Sequence, residues 1–157
     1  FATNNQEHRR HFVESVVSER ALREIYLRGF EWAIRETQPM AVMTAYNKIN
    51  GIYAANHEDL CTEVLRREWK FAGVILTDWA TTVSSEDGSC SAAGCMKAGN
   101  DLIMPGTDVD VQNIQDAVDH GTLPIEKVKA CAYRIIRMIL QTNQYEDAPV
   151  YNRQFAD

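Results

Sequence analysis

Three short, uncharged apolar runs separated by amphipathic stretches constrain the fold of this chain more than any other feature. The runs are Ala41-Val42-Met43-Thr44-Ala45-Tyr46, Gly73-Val74-Ile75-Leu76-Thr77 and the briefer Leu102-Ile103-Met104, which Pro105-Gly106 stops. Apolar runs of this length without polar alternation suit strands buried on both faces, as in a parallel sheet. Around them the apolar period changes to that of a helix. From Ser18 to Glu36 it picks out Leu22, Ile25, Tyr26, Phe30, Ala33 and Ile34, with Ser18 as N-cap and Pro39 just past the end.

The pattern repeats along the chain. Asn50-Gly51 marks a turn. Asn56 with Asp59 resembles a capping box, followed by a helical stripe of Leu60, Cys61, Val64, Leu65 and Trp69. A polar loop over residues 81–91 leads to a short helix around Ala92 to Ala98, and another helix follows near Val111 to Asp119, closed by Gly121. Pro124 opens the last helix, where its missing N–H costs nothing, and Ile125, Val128, Ala132, Ile135, Ile136, Ile139 and Leu140 line the predicted buried face. Strands alternating with helices imply βαβ units and a parallel sheet. A closed (β/α)8 barrel needs about 250 residues, so 157 residues supply only about half of one. From Thr142 to Asp157 the periodicity is lost, which predicts a linker or tail.

Composition excludes several partners. Hydrophobic residues make up 45% and charged residues 24%, the profile of a globular domain. Sixteen Lys and Arg against 22 Asp and Glu give a net charge of -6 with no basic block, which argues against nucleic acid. The apolar runs are far too short to span a bilayer, so no membrane partner is expected. The chain opens Phe1-Ala2-Thr3-Asn4 without an initiator Met, which suggests removal of an upstream segment and leaves the compartment open between cytoplasm and secretion. Cys61, Cys90, Cys95 and Cys131 form no CxxC pair, so no zinc site is expected. Cys61 and Cys131 fit small core positions, and Cys90 and Cys95 are expected as free thiols close enough to pair under oxidation.

In parallel α/β folds the chemistry gathers at the C-terminal ends of the strands. Tyr46-Asn47, Asp78-Trp79 and Met104-Pro105 arrive there. Period-2 alternation puts Val74, Leu76 and Asp78 on one face of the second strand, and Val42, Thr44 and Tyr46 on one face of the first. A phenol can hydrogen-bond a carboxylate and keep it ionised, while an indole offers a sugar ring an apolar surface. On spacing alone Asp78 is open between a catalytic group and a loop-fixing or capping residue, and Tyr46 between a site residue and half-buried packing. His8, His11, His57 and His120 are scattered and fit surface or capping roles. Glu58-Asp59 fits a helix start, Glu86-Asp87 a polar loop, and Gly99-Asn100-Asp101 a turn ahead of a strand rather than a metal loop. No Gly-rich phosphate loop is present, and neither a metal nor a cofactor is expected. A metal-binding or phospho-acceptor role for Asp78 would require an acidic cluster near the first strand and a Lys on a late strand, and neither occurs.

The motifs taken in order carry a resemblance. Phe1-Ala2-Thr3-Asn4-Asn5-Gln6-Glu7 with Arg10, Ser18-Glu19-Arg20-Ala21-Leu22-Arg23-Glu24-Ile25-Tyr26-Leu27, and Val42-Met43-Thr44-Ala45-Tyr46-Asn47-Lys48-Ile49-Asn50-Gly51 resemble successive segments of glycoside hydrolase family 3. Leu65-Arg66-Arg67-Glu68-Trp69 leading into Gly73-Val74-Ile75-Leu76-Thr77-Asp78-Trp79 is similar to that family's nucleophile signature, and Ala98-Gly99-Asn100-Asp101-Leu102-Ile103-Met104-Pro105-Gly106 to its next strand. Lys70 and Ala72 depart from the family's usual Gly and Asp, and Thr77 replaces a frequent Ser.

The resemblance implies a retaining β-glycosidase, closest to the bacterial β-glucosidases, on a (β/α)8 TIM-like barrel of which this chain is the C-terminal part. Residues 1–141 would be a partial catalytic domain and residues 142–157 the linker or tail. By the same resemblance Asp78 is the nucleophile, Tyr46 the tyrosine beside it, Met43 a pocket residue and Trp79 an aromatic contacting the sugar. The substrate would be a β-glucoside or β-linked oligosaccharide. The other partner would be the remainder of the enzyme, namely the missing barrel half and a second α/β domain. The acid/base carboxyl and a Lys-His pair are expected from outside the chain. A second expectation, from a different class, is a catalytically incomplete half-barrel that serves as an association module through its apolar edges.

Overall fold

Two of the three apolar runs pair as parallel strands, and the third joins them through a single bridge. The computed structural model describes residues 1–85 and 88–142, so Glu86-Asp87 and the expected tail beyond Thr142 lie outside the described residues. In chain order the elements are β1 (Glu14–Ser15), α1 (Glu19–Ala21), a π-helical stretch Leu22–Tyr26, α2 (Arg28–Thr37), β2 (Ala41–Met43), β3 (Lys48–Ile49) and β4 (Ile52–Tyr53). A 3-10 turn Ala54–Asn56, a π-helical stretch Asp59–Glu68, β5 (Val74–Leu76), α3 (Ala92–Ala98), α4 (Asp108–Asp119) and α5 (Ile125–Leu140) complete them.

Strands β2 and β5 pair in parallel with Ala41 opposite Val74, Val42 opposite Ile75 and Met43 opposite Leu76. Leu102 forms a parallel bridge to Leu76 on the other side. Two further bonds prolong the pairing, from Thr44 N–H to the Leu76 carbonyl at 2.8 Å and from Thr77 N–H to the Leu102 carbonyl at 2.9 Å. The expected alternation of strand and helix is therefore present, with strands shorter than the apolar runs that encode them. A second small sheet in the order β1-β3-β4 was not expected. Its hairpin turns at Asn50-Gly51, both with positive φ (50° and 89°), which is the geometry a two-residue hairpin needs.

The helices cover one face of β2 and β5. Ile75 is fully buried in a cluster with Leu27, Ile34, Leu60, Leu65 and Trp69, and Val42 packs against the same cluster. This corrects the expectation that Val42 shares a face with Tyr46: Val42 points to the helices, and the opposite face carries Ala41, Met43, Val74 and Leu76. Alternation breaks after Met43, where regular pairing ends, and Ala45 returns to the helix-side cluster. The predicted stripe Leu60, Cys61, Val64, Leu65 and Trp69 is buried throughout.

Three helical expectations change. In the first helix Ile25 and Phe30 are exposed and Leu27 is buried instead. The Leu27 N–H bonds the Leu22 carbonyl at 2.8 Å, five residues back, and this wider turn shifts the phase of the apolar face. Asn56 does not cap the following helix, whose N-cap Glu58 makes no side-chain capping bond. Its amide instead donates to the Ser89 carbonyl at 3.2 Å and accepts from the Cys95 thiol at 3.0 Å. In α5 only Cys131 is buried, while Ile125, Ala132, Ile136, Ile139 and Leu140 are exposed. That helix rests on the Cys131 and Arg134 edge, where the Cys131 thiol meets the Met96 and Asn100 carbonyls at 3.8 and 3.7 Å.

A buried ionic clamp closes the structure behind the strands. Asp101 is 1% exposed and accepts from the guanidinium of Arg66 at 2.5 Å, from Arg134 at 2.6 Å and from the Ile75 N–H at 2.9 Å. The carboxylate is thus neutralised and hydrogen-bonded at once, the condition under which a buried charge is tolerated. The Gly99-Asn100-Asp101 turn serves this clamp. Among the described residues no group of acidic, His and Cys side chains is arranged to hold a metal ion, and no helix is long and apolar enough to cross a membrane.

Candidate active site

Asp78 lies two residues beyond the last paired residue of β5, so strand alternation carries it on from Leu76 and Val74. Thr77 is fully buried, with its hydroxyl accepting from the Met104 N–H at 2.9 Å, which ties the strand end to the third apolar run. Asp78 itself is half-buried, and its Oδ1 accepts from the Trp79 N–H at 2.7 Å. Ala80 then turns the chain with a φ of 60° and donates to the Met104 carbonyl at 2.7 Å. Thr81 closes the turn by donating to the Asp78 carbonyl at 2.8 Å.

Tyr46 meets this turn from the end of the first run. Its side chain is buried and its hydroxyl donates to the Trp79 carbonyl at 2.8 Å. Burial raises the pKa of the phenol, and the hydrogen-bonding and charge of the adjacent Asp78 carboxylate raise it further. The phenol therefore stays protonated through the neutral range, a donor beside a carboxylate. Trp79 turns its indole outward, 60% exposed, so a large aromatic face stands next to Asp78. Met43, paired with Leu76 in the sheet, is exposed on the same strand face as Leu76. Asp78, Tyr46 and the Trp79 backbone thus form one contact set, with Met43 on the neighbouring strand.

Three further side chains also reach Tyr46 or its loop. The Arg10 guanidinium lies 4.8 Å from the Tyr46 ring centroid, and its charge works to lower the phenol's pKa. The His11 ring lies 4.0 Å from the same centroid, and its Nδ1 is 2.9 Å from the Ser84 hydroxyl. His11 is thus no mere surface group, contrary to expectation. The signal available was the Arg10 position within the first motif; nothing in the spacing joined residues 10 and 11 to Tyr46. His120 does cap a helix, with Nδ1 2.7 Å from the Asp116 carbonyl at the end of α4. A separate cleft among Met40, Gly73, Arg134 and Gln141 lies toward the N-terminal ends of β2 and β5, away from Asp78.

Parallel strands, covering helices and a polar cluster at the C-terminal strand ends define a TIM-barrel-like α/β chain. The chain belongs to glycosyl hydrolase family 3, whose N-terminal domain description matches residues 2–138. It is 39% identical over 150 residues to a β-glucosidase of Ruminococcus albus, an alignment covering 91% of this chain and 16% of that protein. Among solved structures, β-glucosidase 3B of Thermotoga neapolitana in complex with glycerol superposes with a TM-score of 0.81 at 42% identity, over 89% of this chain and 20% of that one. The family 3 β-glucosidase of Bifidobacterium adolescentis does so with a TM-score of 0.80 at 34% identity, over 95% and 21%. The chain spans less than a quarter of the length of these relatives.

Proposed function

We propose that this chain carries the nucleophile of a retaining β-glycosidase of the β-glucosidase type, acting on terminal β-D-glucosyl residues. The observation that carries the proposal is the half-buried Asp78 carboxylate at a strand end, touching a protonated phenol and flanked by an exposed indole. Asp78 attacks the anomeric carbon and forms the glycosyl-enzyme intermediate. The Trp79 N–H on Oδ1 fixes the carboxylate's rotation, and the protonated Tyr46 phenol stands beside it as a donor. Trp79 offers an apolar platform for a sugar ring, and Met43 lines the pocket. A retaining mechanism also needs a protonated carboxyl about 5–5.5 Å away to assist the leaving group. In this proposal that acid/base comes from outside the chain, as do the other barrel half and a second α/β domain. Residues 1–141 are then a partial catalytic domain and 142–157 a linker or tail.

The test is an Asp78→Ala variant of the full-length enzyme on p-nitrophenyl β-glucoside, with and without azide. Turnover falls to near zero, and azide, entering the space left by the carboxylate, restores release of nitrophenol and yields the α-glucosyl azide. A β-linked azide or undiminished turnover contradicts the assignment. The 157-residue chain alone is expected to hydrolyse the same substrate poorly or not at all.

A second proposal, an association module, draws on the exposed Ile136, Ile139 and Leu140 of α5. Light scattering on the isolated chain distinguishes it: a monodisperse monomer counts against association.

A further inference from the structure

The Asp78 end of the sheet holds a histidine for which the proposed chemistry has no use. His11 lies on the chain ahead of β1, and its carbonyl accepts from the Tyr53 hydroxyl at 3.4 Å, which anchors it to β4. Its ring stacks on Tyr46 at a centroid distance of 4.0 Å and a tilt of 41°. Its Nδ1 faces the Ser84 hydroxyl at 2.9 Å. The direction of that bond follows from its neighbour. Ser84 donates its single hydroxyl proton to the Ala80 carbonyl at 2.8 Å, so the Ser84 oxygen accepts from His11 and Nδ1 carries a hydrogen. The chain of contacts runs from the Tyr46 ring through His11 and Ser84 to Ala80, the residue that follows Trp79. Tyr46 closes the circuit, because its hydroxyl donates to the Trp79 carbonyl at 2.8 Å.

We propose that His11 is a positioning residue for the Tyr46–Asp78 pair: its ring sets the tilt of the phenol, and its Nδ1–H, through Ser84, sets the turn that carries Trp79. The proposal rests on Asp78 being the nucleophile. The phenol has two acceptors within reach, the Trp79 carbonyl and the Asp78 carboxylate. A ring held at one tilt, against a turn held at one place, keeps the phenol from rotating off the carboxylate. His11 touches neither substrate nor reacting atoms in this account. Its loss slows attack by misplacing the phenol, and a misplacement of about 1 Å in a reacting array costs up to about a hundredfold in rate.

The experiment follows formation of the covalent intermediate in the full-length enzyme with 2-deoxy-2-fluoro-β-glucosyl fluoride, by intact mass and peptide mapping. Wild type, His11→Ala, Tyr46→Phe and the double variant are compared, with a thermal melt of each. His11→Ala is expected to slow intermediate formation by about tenfold or more while reagent binding changes by less than about twofold. In the Tyr46→Phe background, which lacks the phenol to be aimed, the same substitution should add less than about twofold. His11→Phe keeps the stacking and loses the hydrogen bond, so it should recover part of the rate and also serves if His11→Ala does not fold. Ser84→Ala should match His11→Phe and add nothing to it. An equal loss with and without the Tyr46 hydroxyl marks a general structural role and overturns the proposal, as does a wild-type rate in His11→Ala. A wild-type enzyme labelled elsewhere than Asp78 overturns the nucleophile assignment together with the proposal, and is recognised without any His11 variant.

Discussion

Asp78 follows β5 and Asp101 precedes Leu102, the residue that bridges to that strand, and the surroundings of the two carboxylates differ in every respect that governs what a carboxylate can do. Asp101 accepts from two guanidinium groups and from the N–H of Ile75, the middle residue of β5, with its side chain wholly buried. Asp78 accepts from the Trp79 N–H beside a phenol, half-exposed, and among the described residues it forms no ion pair with Lys or Arg. The first environment neutralises a charge for the sake of the fold. The second keeps a charge reachable. The two aspartates are separated by their partners: one, in the turn ahead of Leu102, is spent on the fold, and the other, past the end of β5, stays open to solvent.

Exchanging the two carboxylates for neutral groups gives the largest contrast. Asp78→Asn, which retains an acceptor for the Trp79 N–H, should lower kcat of the full-length enzyme by roughly 10⁴-fold. Its unfolding free energy should stay within about 1 kcal/mol of wild type in urea titration. Asp101→Ala should do the reverse. Burial already pulls the Arg66 pKa down against the Asp101 charge, so losing that charge leaves buried cations uncompensated and should cost about 3–5 kcal/mol in the same titration. A catalytic collapse of folded Asp101→Ala, or an unfolded Asp78→Asn, would break the contrast.

Smaller effects locate the structural end more finely. A Cβ at Gly73 would lie 2.5 Å from the Met40 carbonyl and 2.6 Å from the Phe71 ring, while the Gly73 carbonyl accepts from Arg66 at 3.1 Å. Gly73→Ala should therefore destabilise by about 1–3 kcal/mol, with little change in the Asp78 chemistry of the folded fraction. Lys70, exposed at a φ of 59°, occupies a left-handed position where glycine is unstrained. Lys70→Gly should raise stability by up to about 1 kcal/mol, read as a higher melting temperature. This also accounts physically for the glycine that the family pattern carries there.

Much of this organisation was legible in the sequence. Two of the three apolar runs became parallel strands and the third a single bridge beside them, the Leu60 to Trp69 stripe became core, and Asp78, Tyr46 and Trp79 met because strand ends converge. What was not legible depended on contacts that leave no periodic trace. Strands β1, β3 and β4 have two residues each, too few to show alternation. Leu27 entered the core through a wide helical turn that no propensity marks. Asn56 turned from capping to the Cys90 and Cys95 thiols, which meet its Oδ1 at 3.6 and 3.0 Å. His11 reached Tyr46 across the small sheet, and only the folded chain brings them together.

The smallest expected effect concerns those thiols. All four cysteines are free and buried. Burial pushes Cys61 up to about 12 and Cys131 up to about 11, and Cys95 is raised first by its hydrogen bond with Cys90 and then by burial. Ellman's reagent should find almost no reactive thiol in the native chain at pH 8. Because these pKa values are raised in the folded state, their contribution is complete below about pH 9, the ordinary thiol value, and is lost as pH rises through the folded values. Unfolding free energy should hence be flat across neutral pH with respect to these groups and fall above about pH 9.

In the proposed reaction Asp78, and not a carboxylate placed for structure such as Asp101, forms the bond to the sugar. The most direct measurement is to trap the full-length enzyme with a 2-fluoro β-glucoside, digest it and sequence the modified peptide by mass spectrometry. One fluoroglucosyl adduct is expected, on Asp78 within the Gly73 to Trp79 segment. An adduct on any other residue would contradict that assignment.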